Sequence, residues 1–209
     1  MDIVVWGCGN IGGTIGGRWA RAGHTVTFGV RHPDDPKTAA LVAGYGPHAS
    51  LTGLGEAIAR GPVVLFAIPG SVMEATVAEH GAALASKIVI DATNKISQPT
   101  AHSLAALAAH APTAQVFRAF NNMGWENFAD PRYAGDVADL FYCGAAGEPR
   151  AVVEGLIADL GLRPVYVGGP EQADTVDALL RLWMALVRGQ GMGRGVAFKL
   201  LRREAAARR

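Results

Sequence analysis

Residues 4–12 read Val4-Val5-Trp6-Gly7-Cys8-Gly9-Asn10-Ile11-Gly12, an apolar run that breaks into three glycines spaced Gly-x-Gly-x-x-Gly. Asp2–Trp6 has the uninterrupted β-branched character of a strand, and Ile11–Ala22 the pattern of a helix. A strand that passes through such a loop straight into a helix is the context in which this spacing carries meaning. Gly7 permits the tight turn, Gly9 lets backbone approach a pyrophosphate, and Gly12 lets the helix lie close to the strand. The helix N-terminus then offers unpaired N–H groups and the positive end of its dipole to phosphates. A glycine-rich turn with no ligand is the bland alternative; strand, loop and helix together favour the dinucleotide.

Working outward, short β-branched runs alternate with longer Ala-rich stretches. Strands are expected at Thr25–Val30, His48–Leu51, Pro62–Ile68, Lys87–Asp91, Gln115–Phe120, Asp139–Cys143 and Arg163–Val167. Helices are expected at Thr38–Ala43, Gly55–Arg60, Ser71–Leu84, His102–His110 and Glu148–Leu160. Asn121–Asp136 reads as loop, being rich in Asn, Gly, Pro and Asp. The tail from Glu171 to about Arg203 reads as mostly helical, with a break near Gly189–Gly195. Alternating strands and helices joined by right-handed crossovers specify an α/β fold: a Rossmann doubly wound, mainly parallel sheet with a small C-terminal helical extension. Residues 1–170 would form the dinucleotide-binding domain. Residues 171–209 would complete the substrate cleft and the dimer contact.

Composition fits that reading. The 209 residues are 50% hydrophobic and 18% charged, enough to bury a full core. Lys+Arg number 19 against 18 for Asp+Glu, a formal charge of +1, which argues against a general nucleic-acid binder. The two cysteines, Cys8 and Cys143, imply no disulfide framework, as suits a reducing cytoplasm. No signal peptide and no membrane span are expected. The six histidines fall on different elements without metal-ligand spacing, so no metal is expected. Cys8 is read as a small packing residue of the loop rather than a reactive thiolate.

The second strand decides which dinucleotide. An NAD site places Asp or Glu near its end to hold the ribose 2′-OH. Here Val30 is followed by Arg31 and His32, and no acid occurs until Asp34. Arg31 can fork onto a 2′-phosphate, which indicates NADP(H). Three later strand ends carry polar, loop-breaking clusters: Ile68-Pro69-Gly70-Ser71, Thr93-Asn94-Lys95 and Asn121-Asn122-Met123-Gly124. Ligands of parallel sheets bind beyond those carboxyl ends. Lys95 is read as a solvated loop lysine, with contact to an acidic substrate as the sharper alternative. In the tail, Leu179, Leu182, Trp183, Leu186 and Val187 fit one helical stripe, widened by Leu180 and Met184. Arg202 to Arg209 reads as a solvated helix end.

The chain resembles the NADPH-dependent oxidoreductases that reduce the deazaflavin coenzyme F-420, and their bacterial dinucleotide-binding relatives. The likeness rests on Gly-Cys-Gly-Asn-Ile-Gly-Gly at 7–13, Val-Arg at 30–31, Ile-Asp-Ala-Thr-Asn at 90–94 and Arg-Ala-Phe-Asn at 118–121. It continues with Glu-Asn-Phe-Ala-Asp-Pro at 126–131, Leu-Gly-Leu-Arg-Pro-Val at 160–165 and Gly-Gln-Gly-Met-Gly-Arg-Gly-Val-Ala-Phe-Lys-Leu-Leu at 189–201. The resemblance implies a homodimer in which hydride passes directly between nicotinamide and a second ring, coenzyme F-420 or a flavin such as FMN. Such a transfer requires no general acid or base, so no catalytic side chain is implied.

By the same resemblance, Gly7, Gly9, Asn10, Ile11 and Gly12 would hold the pyrophosphate, and Val30, Arg31 and His32 would surround the 2′-phosphate. Ile68 and Pro69 would lie under the dinucleotide and Asn94 near the nicotinamide ribose. Asn121, Met123 and Gly124 would wall the nicotinamide ring. Relatives carry His at the place of Asn121 and hydroxyl residues at those of Ala178 and Leu180, positions near the second ring. A small-molecule redox acceptor of another kind (a ferric complex, quinone or small carbonyl compound) is the alternative reading, and a non-catalytic NADP(H)-binding sensor a third. Short-chain dehydrogenases are excluded, since Tyr133, Tyr142 and Tyr166 lack the Lys four residues on.

Overall fold

A computed structural model describes residues 1–203 of the chain. In chain order the elements are β1 (Asp2–Trp6), α1 (Asn10–Arg21), β2 (Thr25–Val30), α2 (Pro36–Ala43), β3 (Ala49–Gly53), α3 (Leu54–Ile58), β4 (Val63–Phe66) and α4 (Gly70–His80). Next come β5 (Ile88–Asp91), α5 (Leu104–His110), β6 (Gln115–Arg118), α6 (Trp125–Ala129), β7 (Arg132–Tyr133) and β8 (Asp136–Val137). The chain continues with β9 (Asp139–Gly144), α7 (Glu148–Ala158), β10 (Arg163–Tyr166) and α8 (Ala173–Met184). Eight strands form one sheet in the order β10-β9-β6-β5-β4-β1-β2-β3. Every pairing in it is parallel except β6 with β9.

β1 lies at the centre because it can be apolar on both sides. Ile3 and Val5 enter one core layer with Ile15, Trp19, Phe28 and Phe117. Val4 and Trp6 enter the other with Phe66, Met73, Val77 and Leu107. That is the period-2 alternation of a strand covered by helices on both faces. β1 pairs with β2 on one side (Val4 opposite Thr27) and β4 on the other (Val4 opposite Val64). Chain order therefore reverses at β1, and the cleft of a doubly wound sheet opens beyond its carboxyl end.

Two expectations are corrected. Asn121–Asp136 is not all loop: it holds α6 and the β7–β8 ribbon. The ribbon turns through Ala134 (φ 43°) and Gly135 (φ 96°), two left-handed residues as a two-residue hairpin turn requires. The tail is helical only to Met184, followed by one wide turn over Ala185–Gly189. Residues 190–203 form no regular element. Glycines at 189, 191, 193 and 195 remove helix propensity there, and Gly191 and Gly193 adopt positive φ. Arg202 and Arg203 are exposed and non-helical, and the rest of the predicted helix end, 204–209, lies outside the described residues.

The helical stripe is also rotated from its expected place. α8 buries Ala173, Val176, Asp177, Leu180 and Trp183, while Leu182 is 48% exposed. The physical cause is Asp177, whose carboxylate must meet a buried arginine on β6 and so sets which face turns inward.

Trp19 is the largest side chain joining α1 to the second half of the chain. It is fully buried, lies edge-on to Phe120, and its Nε1 donates to the carbonyl oxygen of Leu156 at 2.9 Å. Trp19→Ala is expected to lower the free energy of unfolding by about 3–5 kcal/mol, from lost burial and the cavity left behind. Urea denaturation followed by circular dichroism measures it.

Candidate dinucleotide site

The three motif glycines do three different things. Gly7 has φ +103°, a left-handed conformation, and a Cβ there would lie 2.5 Å from the Ala67 oxygen. Its N–H donates to the Gly29 oxygen at 3.0 Å, binding the loop to the end of β2. A Cβ on Gly12 would collide with the Gly7 carbonyl, so the close approach of α1 to the loop depends on its absence. Gly9 is different: nothing lies within 4 Å of where its Cβ would be. Fold packing does not need a glycine at position 9, where the Cβ direction is open.

α1 begins at that surface. Gly9 is its N-cap, no side chain caps the helix, and its first turn holds no acid. The first N–H groups are thus left for solvent or an anion. From this end runs a groove of about 560 Å³ lined by Gly7, Gly9, Val30, Arg31, His32, Ile68 and Pro69, together with Leu54, Val72 and Thr76 of α3 and α4. Seven of the predicted site residues therefore share one concavity. Asn10 and Ile11 stand on the first turn of α1 beside it.

Arg31 is exposed and forms no ion pair among the described residues. The nearby acid does not compete for it. Asp35 caps α2, accepting from the Thr38 hydroxyl at 2.6 Å and its backbone N–H at 2.9 Å, and these bonds hold its carboxyl below the usual carboxylate range. A free guanidinium without an opposing acid at the end of β2 suits a 2′-phosphate, not a bare ribose diol.

Four predicted residues lie in a second region, beyond β5 and β6. Asn94 is half-buried, and Asn121, Met123 and Gly124 are buried. Gly70 packs onto the backbone of Asn94 and Lys95, where a Cβ would meet the Asn94 carbonyl carbon at 2.6 Å. This joins the Ile68–Pro69 corner to Asn94. The Asn94 side chain is engaged at both ends: Oδ1 accepts from Arg118 Nη2 at 2.7 Å and Nδ2 donates to the Asn121 oxygen at 3.0 Å. Gly124 is covered, since Cζ2 of Trp183 and a guanidinium nitrogen of Arg194 would each lie 3.0 Å from its Cβ. Ala178 is exposed and Leu180 buried. Two helix residues two apart face different directions, so these two do not share one contact.

Sequence reasoning missed the group that organises this region. Arg118 is fully buried. Its guanidinium donates to the oxygens of Thr93 at 2.5 Å and Asp91 at 3.1 Å, and to Asp177 Oδ1 at 2.8 Å. Asp91 in turn accepts from Thr93 N–H, Thr93 Oγ1 and Ser103 N–H. Burial pushes the Asp177 carboxyl up, against the pull of Arg118. The available signal was an arginine set inside the apolar run Val116–Phe120 and acids at 91 and 177 inside otherwise apolar elements.

Other candidates resolve plainly. Lys95 is not a solvated lysine: its side chain is only 9% exposed and Nζ is 2.8 Å from Glu74 Oε1, which holds the Glu74 carboxyl low. Burial pushes the Cys8 thiol up and that of Cys143 to about 12, so neither is a ready thiolate. His102, Asp174 and Asp177 cluster within 4.8 Å. However, His102 Nδ1 accepts from Leu104 N–H, which leaves the ring proton on Nε2 and disfavours metal ligation. No helix among the described residues is long and apolar enough to cross a membrane.

The fold and this groove define a dinucleotide-binding α/β protein. Residues 2–95 match the family described as NADP oxidoreductase, coenzyme F420-dependent. A solved structure from Arthrobacter sp. FB24, provisionally described as an F420-dependent NADP-reductase, is similar over 96% of this chain and 99% of that one. Its TM-score is 0.81 and its identity 27%. A hypothetical protein from Sinorhizobium meliloti shares the fold at TM-score 0.65 and 24% identity, over 81% of this chain and 85% of that one. So does a reductive aminase from Aspergillus terreus in complex with NADPH and ethyl levulinate, at TM-score 0.66 and 24% identity. That likeness covers 90% of this chain but only 62% of the aminase. No curated protein matches. The chain is an NADP-dependent oxidoreductase.

Gly9 gives a clean test of the groove. Its φ of −78° suits any residue and its Cβ direction is open, so Gly9→Val is expected to fold normally. The added side chain would occupy the surface above the loop. Calorimetric titration should show dinucleotide binding lost while the circular dichroism spectrum is unchanged.

Proposed function

We propose that this protein transfers hydride between NADP(H), bound in the groove above the glycine loop, and a deazaflavin (coenzyme F-420) or flavin-like acceptor such as FMN. The observation that carries the acceptor is the match of residues 2–95 to a family described as coenzyme F420-dependent. The full-length likeness to the Arthrobacter protein supports it.

In this reading the residues work by position. The α1 N-terminus, with Gly7, Gly9, Asn10, Ile11 and Gly12, receives the pyrophosphate through backbone N–H groups. Val30, Arg31 and His32 surround the 2′-phosphate, Arg31 as the charged fork. Ile68 and Pro69 form the floor, Asn94 stands by the nicotinamide ribose, and Asn121, Met123 and Gly124 wall the ring. The reduced nicotinamide supplies the hydride. The protein's share is to hold two rings in register, which is an entropic and orientational contribution. That role needs no nucleophile, consistent with thiols that burial keeps protonated. Residues 1–170 serve as the dinucleotide domain. Residues 171–209 contribute to the acceptor side and, through the exposed Ala178–Leu182 face of α8, to contact with a second copy.

Two measurements test this. Arg31→Glu removes the charge-assisted bonds to a 2′-phosphate, each worth about 1.5–3 kcal/mol, so NADPH binding is expected to weaken by about 10- to 150-fold. NADH binding should change far less, and an equal loss for both would place the 2′-phosphate elsewhere. Oxidation of NADPH, followed optically with coenzyme F-420, FMN or no acceptor, should show turnover with a ring acceptor. Turnover only with a ferric complex, quinone, imine or carbonyl compound would reject the deazaflavin and flavin readings.

A further inference from the structure

The charges buried beneath α8 do not balance. Asp91, Arg118 and Asp177 are each fully buried, two carboxyl groups against one guanidinium. Arg118 lies 3.5 Å from Asp91 and 2.8 Å from Asp177. The other titratable groups around Asp177 supply no further positive charge. His102, on the loop before α5, accepts from Leu104 N–H through Nδ1, so its ring carries one proton, on Nε2. Asp174, one turn back on α8, is itself an acid and exposed. Cys143 on β9 is a thiol that burial pushes up to about 12. A net charge held away from water is costly, and one bound proton removes it.

Hydrogen bonding says which carboxyl takes the proton. Asp91 meets donors at both oxygens. Its Oδ1 accepts from the Thr93 N–H at 2.9 Å and the Thr93 hydroxyl at 2.6 Å, and its Oδ2 from the Ser103 N–H at 2.9 Å. Donors of that kind favour the ionised form. Asp177 is lopsided. Its Oδ1 takes Nε and Nη2 of Arg118, each at 2.8 Å, and Nδ2 of Asn121 at 2.7 Å. Its Oδ2 is buried and has no hydrogen-bond partner. That is the division of labour in a carboxylic acid, where the carbonyl oxygen accepts and the hydroxyl oxygen does not. Charge on an oxygen without a donor costs more than an unpaired buried hydroxyl. Ser103 Oγ and the side-chain oxygens of Asn121 and Asn122 are likewise buried without partners; being neutral, they leave the charge balance unchanged. Burial acts in the same direction, pushing the Asp177 carboxyl up against the pull of Arg118.

We infer that this cluster holds one proton at neutral pH, on Asp177 Oδ2, and that the proton is a pH-sensitive latch on α8. With it, the anchor beneath the helix is neutral. Its release leaves a net negative charge between α8 and the sheet and weakens the hold of β5 and β6 on the helix.

Infrared spectroscopy reads the proton directly, because the C=O stretch of a protonated carboxyl lies apart from carboxylate and amide bands. At about pH 7, where ordinary carboxyls are ionised, the folded wild type is expected to show one such band, absent in Asp177→Asn. That substitution reproduces the neutral form, with a carbonyl for Arg118 and N–H in place of the hydroxyl, so it is expected to fold. Linkage gives a second readout. A carboxyl raised above its unfolded value contributes its full stability in acid and loses it as pH rises. Asp177→Asn does not titrate, so its urea midpoint should match that of the wild type near the ordinary carboxylate value of about 4 and exceed it increasingly toward neutral pH. The same difference is expected with His102→Gln in both proteins, which removes that ring's titration. An ionised Asp177 predicts the reverse, a variant weaker than the wild type at neutral pH that recovers in acid. A wild type without the band, a band that persists in Asp177→Asn, or an Asp177→Asn protein that is unfolded or less stable than the wild type at neutral pH would each overturn the inference.

Discussion

The buried guanidinium of Arg118 is the constraint on which the region beyond β5 and β6 depends. Removing a full positive charge from water is costly unless it is paired and hydrogen-bonded. Arg118 meets that condition by drawing together four chain segments: the end of β5, the Thr93–Asn94 turn, its own strand β6, and helix α8. Asp91 and Asp177 both face it, at 3.5 and 2.8 Å. Two carboxylates on one guanidinium leave an excess negative charge. Desolvation then raises the Asp177 carboxyl, as Arg118 only partly offsets it. Severing a buried pair of this kind typically costs about 3–5 kcal/mol. Here the larger consequence is geometric, because the pair also sets which face of α8 turns inward.

The two ends of the cleft are built by different physics. At the glycine-loop end the chain works by absence. Gly7 and Gly12 remove Cβ atoms that would collide with the Ala67 and Gly7 carbonyls, and the groups left open are backbone N–H donors on a helix without a capping side chain. At the other end it works by a dense side-chain network centred on Arg118. Asn94 spends both ends of its amide on Arg118 and Asn121. The first end is exposed and electrostatic, suited to capture. The second is buried and directional, suited to orientation. Binding energy gained at a remote phosphate can be used to hold the reacting ring, which raises rate and not only affinity.

What the sequence made legible follows the same division. β1, its loop and α1 were readable because their signals are local: a run of β-branched residues, three glycines at fixed spacing, and then helical periodicity. Arg31 stood out for the same reason, as a departure from an expected acid at one position. The Arg118 network was not, because its members lie at 91, 94, 118 and 177 and meet only once the sheet is assembled. Reading α8 by its apolar stripe alone put Leu182 inward, whereas Asp177 turns that residue toward solvent. Lys95 looked solvated because its partner, Glu74, sits on the preceding crossover helix.

The tail shows most clearly how tertiary partners override a local pattern. Past Met184 the glycines abolish helix, yet the segment is not left unpaired. Val196 accepts from Trp183 Nε1 at 2.7 Å, Phe198 accepts from the Asp139 N–H at 3.0 Å, and Leu200 donates to Asp139 Oδ2 at 2.6 Å. Arg194 pairs with Glu126 while lying over the Trp183 ring. Residues 194–200 thus bind α8 to α6 and to the start of β9, using the same Trp183 that covers Gly124. An irregular strap achieves what a further helix could not. Its backbone N–H and C=O groups stay free to pair sideways with Asp139 at the start of β9, rather than being consumed within the segment itself. The cost of ordering so many glycines is entropic, and those hydrogen bonds and ion pairs offset it. The same contacts close the molecule over the end of the cleft that Arg118 and Asp177 define.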